Sequence, residues 1–284
     1  MTVDALRQDQ PAPSVLDRRQ FLTSALGAGF ALAVQPIVAQ TVIHTDAGGL
    51  VAGEVNIGGF PAYRAMPAKG GHFPTVIVAS EIFGVHEHIA DLCRRLAKLG
   101  YLAVAPDLFF RQGDPRKMED IQEILTTITY KVPDAQVMAD LDATVDWIGK
   151  NGGNPHRLAM TGFCWGGRTT WLYAAHSSRV KAAVAWYGLL SGASTERQPR
   201  QPLDLAKDLK APVLGLYAGE DPYITLDTLA AMQNTLERAG AKAELHLYRH
   251  VQHGFNADYR PTYDKEAAAD GWRRMLDWFR SHGV

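Results

Sequence analysis

The sequence predicts an α/β fold in which helices cover both faces of a mostly parallel central sheet. Short apolar runs suited to buried strands alternate along the chain with segments whose apolar residues recur three and four positions apart. The 284 residues are 46% hydrophobic, which is enough apolar material for a sizeable core. No internal repeat or low-complexity linker divides the chain after residue 39. We therefore expect residues 40–284 to form one domain.

The elements follow in order along the chain. Two alternating segments, Leu50–Ile57 and Pro61–Met66, predict an exposed antiparallel hairpin before the parallel part of the sheet. Six apolar runs then predict buried strands at Thr75–Ala79, Leu102–Pro106, Leu158–Thr161, Ala182–Tyr187, Val213–Ala218 and Leu245–Tyr248. The periodic segments predict helices at His86–Leu99, Pro133–Lys150, Trp165–His176, Leu226–Ala239 and Tyr263–Ser281.

Composition excludes several classes of protein. The chain has 29 Lys and Arg against 30 Asp and Glu, and this net charge of −1 argues against a nucleic-acid-binding protein that relies on a basic surface. The two cysteines, Cys93 and Cys164, are too few for a disulfide-dense scaffold or a four-cysteine metal site. Cys93 falls in a helical pattern and is expected in the core, so we predict no disulfide between the two.

The first 39 residues resemble a twin-arginine export signal. The run Asp17–Leu22 contains paired arginines and opens an uncharged apolar stretch, Phe21–Ala39, that ends in small residues. This pattern predicts recognition by the twin-arginine export machinery, cleavage after Ala39 and export to the periplasm. The alternative is an uncleaved membrane anchor, because the apolar stretch is near the minimum length for spanning. We expect no membrane contact beyond this segment.

The strongest local motif follows the strand that ends at Thr161. Gly162–Gly167 reads Gly-Phe-Cys-Trp-Gly-Gly, the form of a nucleophile elbow with Cys164 in the place of the usual serine. Flanking glycines allow a sharp strand-to-helix turn, and the N-terminal end of the following helix favours a thiolate. The alternative is a glycine-rich turn that holds an inert buried cysteine.

Two later loops contain candidate partners for Cys164. Asp221 follows the strand Val213–Ala218, and His253 follows the last strand. The order nucleophile, acid, histidine is that of the α/β-hydrolases, in which the acid orients the imidazole and the imidazole exchanges protons with the nucleophile. Singly, Asp221 suits a turn and His253 a surface position. Glu220 and His250 are weaker candidates for the same roles.

With these residues identified, the chain resembles the dienelactone hydrolase family over nearly all of residues 40–284. The resemblance implies an α/β-hydrolase fold and hydrolysis of a small ester or lactone, with no cofactor. It assigns a catalytic triad to Cys164, Asp221 and His253, acting through an acyl-cysteine intermediate. The matching segments are Ser80–Val85, Pro106–Arg111, Gly162–Gly167 and His253–Phe255.

The resemblance also implies roles outside the triad. Glu81 corresponds to the carboxylate that contacts the resting thiol, and the backbone N–H groups of Ile82 and Trp165 would form the oxyanion hole. Arg111 corresponds to an arginine that faces the substrate. Alternatively, Glu81 is a structural ion-pair partner of Arg111 or another cation, and Arg111 is a solvated loop residue.

Two departures from the family pattern limit the substrate assignment. The family's serine and arginine after the histidine are replaced by Gly254 and Ala257, and Arg260 lies a little further along. A broad carboxylesterase or thioesterase, a thiol redox sensor and a non-catalytic binding module therefore remain alternatives. No metal is expected, because His86-Glu87-His88 lacks the H-E-x-x-H spacing that places two imidazoles on one helix face.

Overall fold

An eight-stranded sheet forms the centre of the molecule. The computed structural model describes residues 42–284, so the predicted export signal at residues 1–39 lies outside the described residues. The strand order is β1-β2-β4-β3-β5-β6-β7-β8; the β1–β2 and β2–β4 pairs are antiparallel, and the other pairs are parallel. The strands are β1 Leu50–Ile57, β2 Phe60–Pro67, β3 Phe73–Ala79, β4 Leu102–Pro106, β5 Gly153–Phe163, β6 Ala182–Trp186, β7 Val213–Ala218 and β8 Ala243–Tyr248.

Seven α-helices accompany the sheet within the described residues. The predicted fold class is confirmed, and each predicted helix is present with its ends shifted by at most two residues. Two helices were not predicted, α2 and α5, because seven and four residues are too short to show a helical period. The helices are α1 Glu87–Lys98, α2 Ile121–Thr127, α3 Asp134–Lys150, α4 Trp165–His176, α5 Pro202–Leu205, α6 Leu226–Ala239 and α7 Lys265–Ser281.

Local chemistry sets several helix ends. The Thr225 and Asp264 side chains accept hydrogen bonds from N–H groups in the first turns of α6 and α7. Helix α6 ends at Gly240, whose φ of 59° is accessible to glycine at little cost. Among residues 42–284, no helix combines the length and apolar character that crossing a bilayer requires.

The register of the central strands brings four loops together at one edge of the sheet. Ala79 of β3 pairs with Gly162 of β5, and Phe163 of β5 pairs with Trp186 of β6. Strand β7 continues this alignment, because Trp186 also pairs with Leu216. The residues that follow these strands therefore meet at the carboxyl edge, where open parallel sheets bind their ligands.

The first described residues are attached to the loop that follows β8. The Ile43 N–H donates to Asp258 in that loop, at 3.2 Å. Asp258 is buried and also pairs with His88 and Arg95 of α1. Helix α1 holds the next part of the N-terminal segment, because Arg94 donates to the Thr45 carbonyl at 2.7 Å.

Candidate active site

Cys164 stands at a sharp turn between β5 and α4. Its φ of 53° and ψ of −111° are unusual for a residue with a side chain. Its N–H donates to the Trp186 carbonyl at 3.0 Å, which fixes the turn to the neighbouring strand β6. Gly166 is required here, because a Cβ at that position would lie 2.2 Å from the Ala79 carbonyl oxygen. These contacts hold a buried thiol at the start of α4.

His253 and Asp221 form a buried pair beside this turn. His253 Nδ1 lies 2.7 Å from Asp221 Oδ2, and both side chains are almost fully buried. The other carboxylate oxygen of Asp221 accepts hydrogen bonds from the N–H groups of Tyr223 and Ile224, at 2.9 and 3.2 Å. Asp221 is therefore fixed by its own loop, and it in turn fixes the ring of His253. Nδ1 is engaged, so Nε2 is the nitrogen left for proton exchange.

The electrostatics of His253 connect this pair to Cys164. Burial disfavours the imidazolium, but the Asp221 carboxylate and the negative charge and hydrogen bond of Cys164 outweigh it and raise the pKa of His253 to about 10. An imidazolium formed by proton transfer from the sulfur would thus be stabilised by the Asp221 carboxylate on one side and by the Cys164 thiolate on the other. The structure brings the three predicted triad residues together from the ends of β5, β7 and β8.

Glu81 lies in the same site and is fully buried. One carboxylate oxygen, Oε2, accepts a hydrogen bond from the Tyr259 hydroxyl and lies 3.4 Å from Arg260 Nη2. Burial alone would raise the pKa of Glu81, but Arg260 and Tyr259 outweigh it and hold the pKa below its usual value. The cation that pairs with Glu81 is therefore Arg260 and not Arg111. The other oxygen, Oε1, is buried with no hydrogen-bond partner in the part of the chain the structure describes.

Arg111 is engaged away from Glu81. Its guanidinium forms a bidentate pair with Asp140 of α3, at 2.6 and 2.9 Å, and lies over the Phe60 ring. The bidentate pair uses the face of the guanidinium that would bind a carboxylate, and the substrate-facing role of Arg111 stays a prediction. The Arg111 side chain is 45% exposed, whereas the Asp140 side chain is buried.

Arg260 is the arginine that the structure places in the site. It is almost fully buried, between the rings of Phe83 and Tyr259 and against Glu81. The pKa of Arg260 is raised, because Glu81 outweighs the effect of burial, and Cys164 is among the groups that raise it further. A buried, permanent positive charge therefore lies within electrostatic reach of Cys164.

The two predicted oxyanion-hole donors directly follow Glu81 and Cys164 in the chain. Ile82 follows Glu81 after β3, and Trp165 is the first residue of α4. Among the hydrogen bonds within residues 42–284, neither backbone N–H has an acceptor. Both amides are therefore available to a developing negative charge, as the predicted role requires.

Sequence reasoning missed several side chains that line the site. The rings of Tyr187 and Tyr223 lie 5.0 and 5.1 Å from the ring of His253. His86 contacts Tyr259 edge-to-face, at 4.9 Å between ring centroids. Tyr187 offered a signal, because it is the last residue of a predicted buried strand; Tyr259 lies in a loop without periodicity.

Three other groups of residues were candidates for a triad, a reactive thiol or a metal site. Glu220 and His250 are exposed and 3.8 Å apart. Cys93 is a free, fully buried thiol in α1, and burial raises its pKa. Three potential metal ligands, His44, Glu87 and Asp91, lie close together, but both carboxylates already pair with arginines of α1.

The sheet order, the turn at Cys164 and the Asp221–His253 pair at the carboxyl edge define the class of protein: the chain has an α/β-hydrolase fold. It belongs to the dienelactone hydrolase family, whose model matches residues 60–283. It is a dienelactone hydrolase-like enzyme of this family of lactone and ester hydrolases.

Several relatives show the extent of the similarity. A Methylorubrum extorquens protein provisionally named carboxymethylenebutenolidase is 55% identical over 99% of this chain and 98% of its own. A Bradyrhizobium protein provisionally named 2-oxo-3-(5-oxofuran-2-ylidene)propanoate lactonase is 33% identical over 78% and 89%. A Klebsiella pneumoniae crystal structure, provisionally described as a dienelactone hydrolase, superposes with a TM-score of 0.80 at 55% identity, covering 81% of this chain and 98% of the other.

Proposed function

We propose that this chain hydrolyses small lactones and esters that carry a carboxylate, with Cys164 as the nucleophile. The observation that carries this proposal is the hydrogen-bonded series from Asp221 through His253 to Cys164, with the cysteine in a strained turn at the start of a helix. This arrangement matches the requirements for an activated nucleophile: a base in contact with it and a third group that orients the base.

The first half of the reaction forms an acyl-enzyme. The Cys164 sulfur, deprotonated by His253, attacks the carbonyl carbon, and the carbonyl electron pair moves to oxygen. The N–H groups of Ile82 and Trp165 donate to that oxygen. The carbon–oxygen bond of the ester then breaks, His253 Nε2 gives its proton to the leaving oxygen, and the acyl group remains on sulfur.

The second half releases the acid. Water attacks the thioester carbonyl while His253 takes its proton, and the same two N–H groups stabilise the second oxyanion. The carbon–sulfur bond breaks, and the sulfur leaves as a thiolate next to the imidazolium. Asp221 keeps the imidazole in one tautomer throughout, so a single nitrogen serves both halves.

A carboxylate on the substrate is favoured by Arg260. This arginine is buried beside Glu81, and its Nη1 is a buried donor with no hydrogen-bond partner within residues 42–284. The names of the Methylorubrum and Bradyrhizobium relatives support the same class, since both describe lactones that carry a carboxylate. We propose that Arg260 takes the part that the family resemblance assigned to Arg111.

Hydrolysis of a matched pair of substrates tests the proposal. We would compare an anionic dienelactone with a neutral aryl ester of similar size, using wild type, Cys164→Ala and Cys93→Ala as the cysteine control. We expect Cys164→Ala to lose about a thousandfold or more in turnover, and Cys93→Ala to keep it. Intact turnover in Cys164→Ala would refute the nucleophile; wild-type turnover of the neutral ester alone would refute the anionic substrate.

We also propose that residues 1–39 direct export by the twin-arginine pathway. The paired Arg18 and Arg19 before an apolar stretch support this assignment. The test is the location and mass of the protein in cells, for wild type and for Arg18→Lys/Arg19→Lys. We expect the wild type in the periplasm, shortened by cleavage after Ala39, and the variant in the cytoplasm. Full-length wild type in the membrane fraction would indicate the anchor instead.

A further inference from the structure

Tyr187 occupies a strained position at the end of β6. Its φ is +39°, a left-handed backbone angle that is costly for a residue with a bulky side chain. The neighbouring strand maintains this backbone conformation, because the Tyr187 N–H donates to the Leu216 carbonyl at 2.8 Å. Such outliers persist only where the surroundings enforce them, and they concentrate at functional sites.

The conformation places an aromatic hydroxyl in the interior of the site. Tyr187 is fully buried, and its ring contacts those of His253 and Phe255 at 5.0 and 5.3 Å. Within residues 42–284, its hydroxyl has no hydrogen-bond partner. A buried polar group without a partner is costly, so the absence of an internal acceptor points to an acceptor supplied by the ligand.

The hydroxyl remains a donor at neutral pH. Burial raises the pKa of Tyr187 well above its usual value, and Glu81 raises it further, while Arg260 acts in the opposite direction. Tyr187 in turn is one of the groups that act on Arg260. Both groups also pack beside the start of the His253 loop: the Tyr187 ring lies 5.0 Å from the ring of His253, and a Cβ at the adjacent Gly254 would lie 3.2 Å from Arg260 Nη1.

Arg260 presents the second unpartnered donor of this environment. Its Nη2 is directed to Glu81, whereas Nη1 is buried without a hydrogen-bond partner among the described residues. Phe83 and Tyr259 pack against the guanidinium and limit its movement. One neutral and one cationic donor, both buried and both held by packing, are suited to the two oxygens of a carboxylate.

We propose that Tyr187 is a specificity-determining residue whose hydroxyl binds the substrate carboxylate together with Arg260 Nη1. This inference rests on the proposed function, since it concerns the anionic part of the same substrate. The hydroxyl takes no part in bond breaking: the N–H groups of Ile82 and Trp165 serve the oxyanion, and His253 serves the leaving oxygen. Its contribution is to binding, and only for substrates with a carboxylate at that place.

The test is Tyr187→Phe, which removes one oxygen and keeps the ring that packs against His253. KM and kcat would be measured for the anionic dienelactone and the neutral aryl ester. We expect KM for the anionic lactone to rise about tenfold or more, with kcat within about twofold and the neutral ester unaffected. The control is Tyr173→Phe, a buried tyrosine whose hydroxyl bonds to Asp142 between α3 and α4.

Three outcomes would overturn the inference. An equal loss of kcat on both substrates would place Tyr187 in the chemical step. Unchanged KM on both substrates, with wild type active on both, would show that the hydroxyl does not bind the carboxylate, and would leave the proposed function standing. A wild type that hydrolyses neither substrate would remove the proposed function and this inference together.

Discussion

The Arg260 side chain packs against Gly254, the residue that follows His253. A Cβ at position 254 would lie 3.2 Å from Arg260 Nη1 and 3.3 Å from Thr262 Oγ1, and Gly254 has a φ of +82°. The residue directly after His253 is thus a glycine for two reasons: its backbone angle and the side chain packed against it. The family's serine at this place and the buried Arg260 are incompatible without a shift.

Gly254→Ala is therefore expected to affect both stability and substrate binding. The matched control is Gly240→Ala, where φ is +59° but no atom lies within 4 Å of the added Cβ. Both variants should lose about 1 kcal/mol of unfolding free energy from the backbone angle. Only Gly254→Ala should raise KM for the anionic lactone several-fold, because it displaces Arg260. Equal KM values in the two variants would contradict this account.

Glu81→Gln is expected to slow the generation of the Cys164 thiolate. The substitution keeps the shape of the side chain and removes the carboxylate that, by the family resemblance, contacts the resting thiol. We expect turnover at neutral pH to fall by about 10- to 100-fold, together with slower alkylation of Cys164 by iodoacetamide. The control is Glu220→Gln at the exposed neighbour of Asp221. If Glu81→Gln lowers the melting temperature but alkylation keeps its rate, Glu81 is a structural partner only.

His86 is expected to weaken the fold in mild acid. Burial lowers its pKa from 6.5 to about 4, and its Nε2 has no hydrogen-bond partner among the described residues. The unfolded chain therefore takes up a proton below pH 6.5 while the folded protein resists until about pH 4. Stability is lost as pH falls through this window, by at most roughly 3 kcal/mol.

Denaturant unfolding at pH 7 and pH 4.5 measures this loss. The His86→Phe variant should lose less stability between the two pH values than wild type, because the proton uptake by the unfolded chain at this position is removed. His156→Phe, at an exposed position, serves as the control. An identical loss in His86→Phe and wild type would show that other groups account for the acid sensitivity.

Arg168→Met is expected to be strongly destabilising. Arg168 lies on α4, just after the turn at Cys164; it is buried and pairs with Asp134 through two hydrogen bonds of 2.8 and 2.9 Å. Its removal leaves Asp134 without its cation, at a cost of about 3–5 kcal/mol in unfolding free energy. Arg179→Met breaks an exposed pair with Asp146 and should cost under about 1 kcal/mol. Similar losses in the two variants would contradict the role of burial.

The order of the elements could be predicted because it follows from local sequence patterns. Strands such as Val213–Ala218 are continuous apolar runs, and α4 and α6 have the period of a helix, so their bounds match the prediction. The start of β5 could not be predicted. Its first residues, Gly153–Arg157, include no large apolar side chain, and they join the strand only through the register of the sheet.

The same distinction, between local sequence patterns and tertiary contacts, applies to the site residues. Cys164, Asp221 and His253 could be identified because each follows a strand, and strand ends meet at one edge. The position of Arg111 depends on Asp140, a helical residue with no motif of its own. Arg260 reaches the site from within an irregular loop, and its packing against Gly254 is a tertiary relationship that spacing alone does not encode.

The bond between Ile43 and Asp258 has a practical consequence for handling the protein. A peptidase that cuts before residue 42 leaves this bond and the neighbouring Arg94–Thr45 contact intact. Trimming past Thr45 would remove both, and the loop that contains His253 and Arg260 would lose one of its outer attachments. A recombinant version should therefore begin well before Ile43, and any N-terminal affinity tag should be separated from it by a flexible spacer.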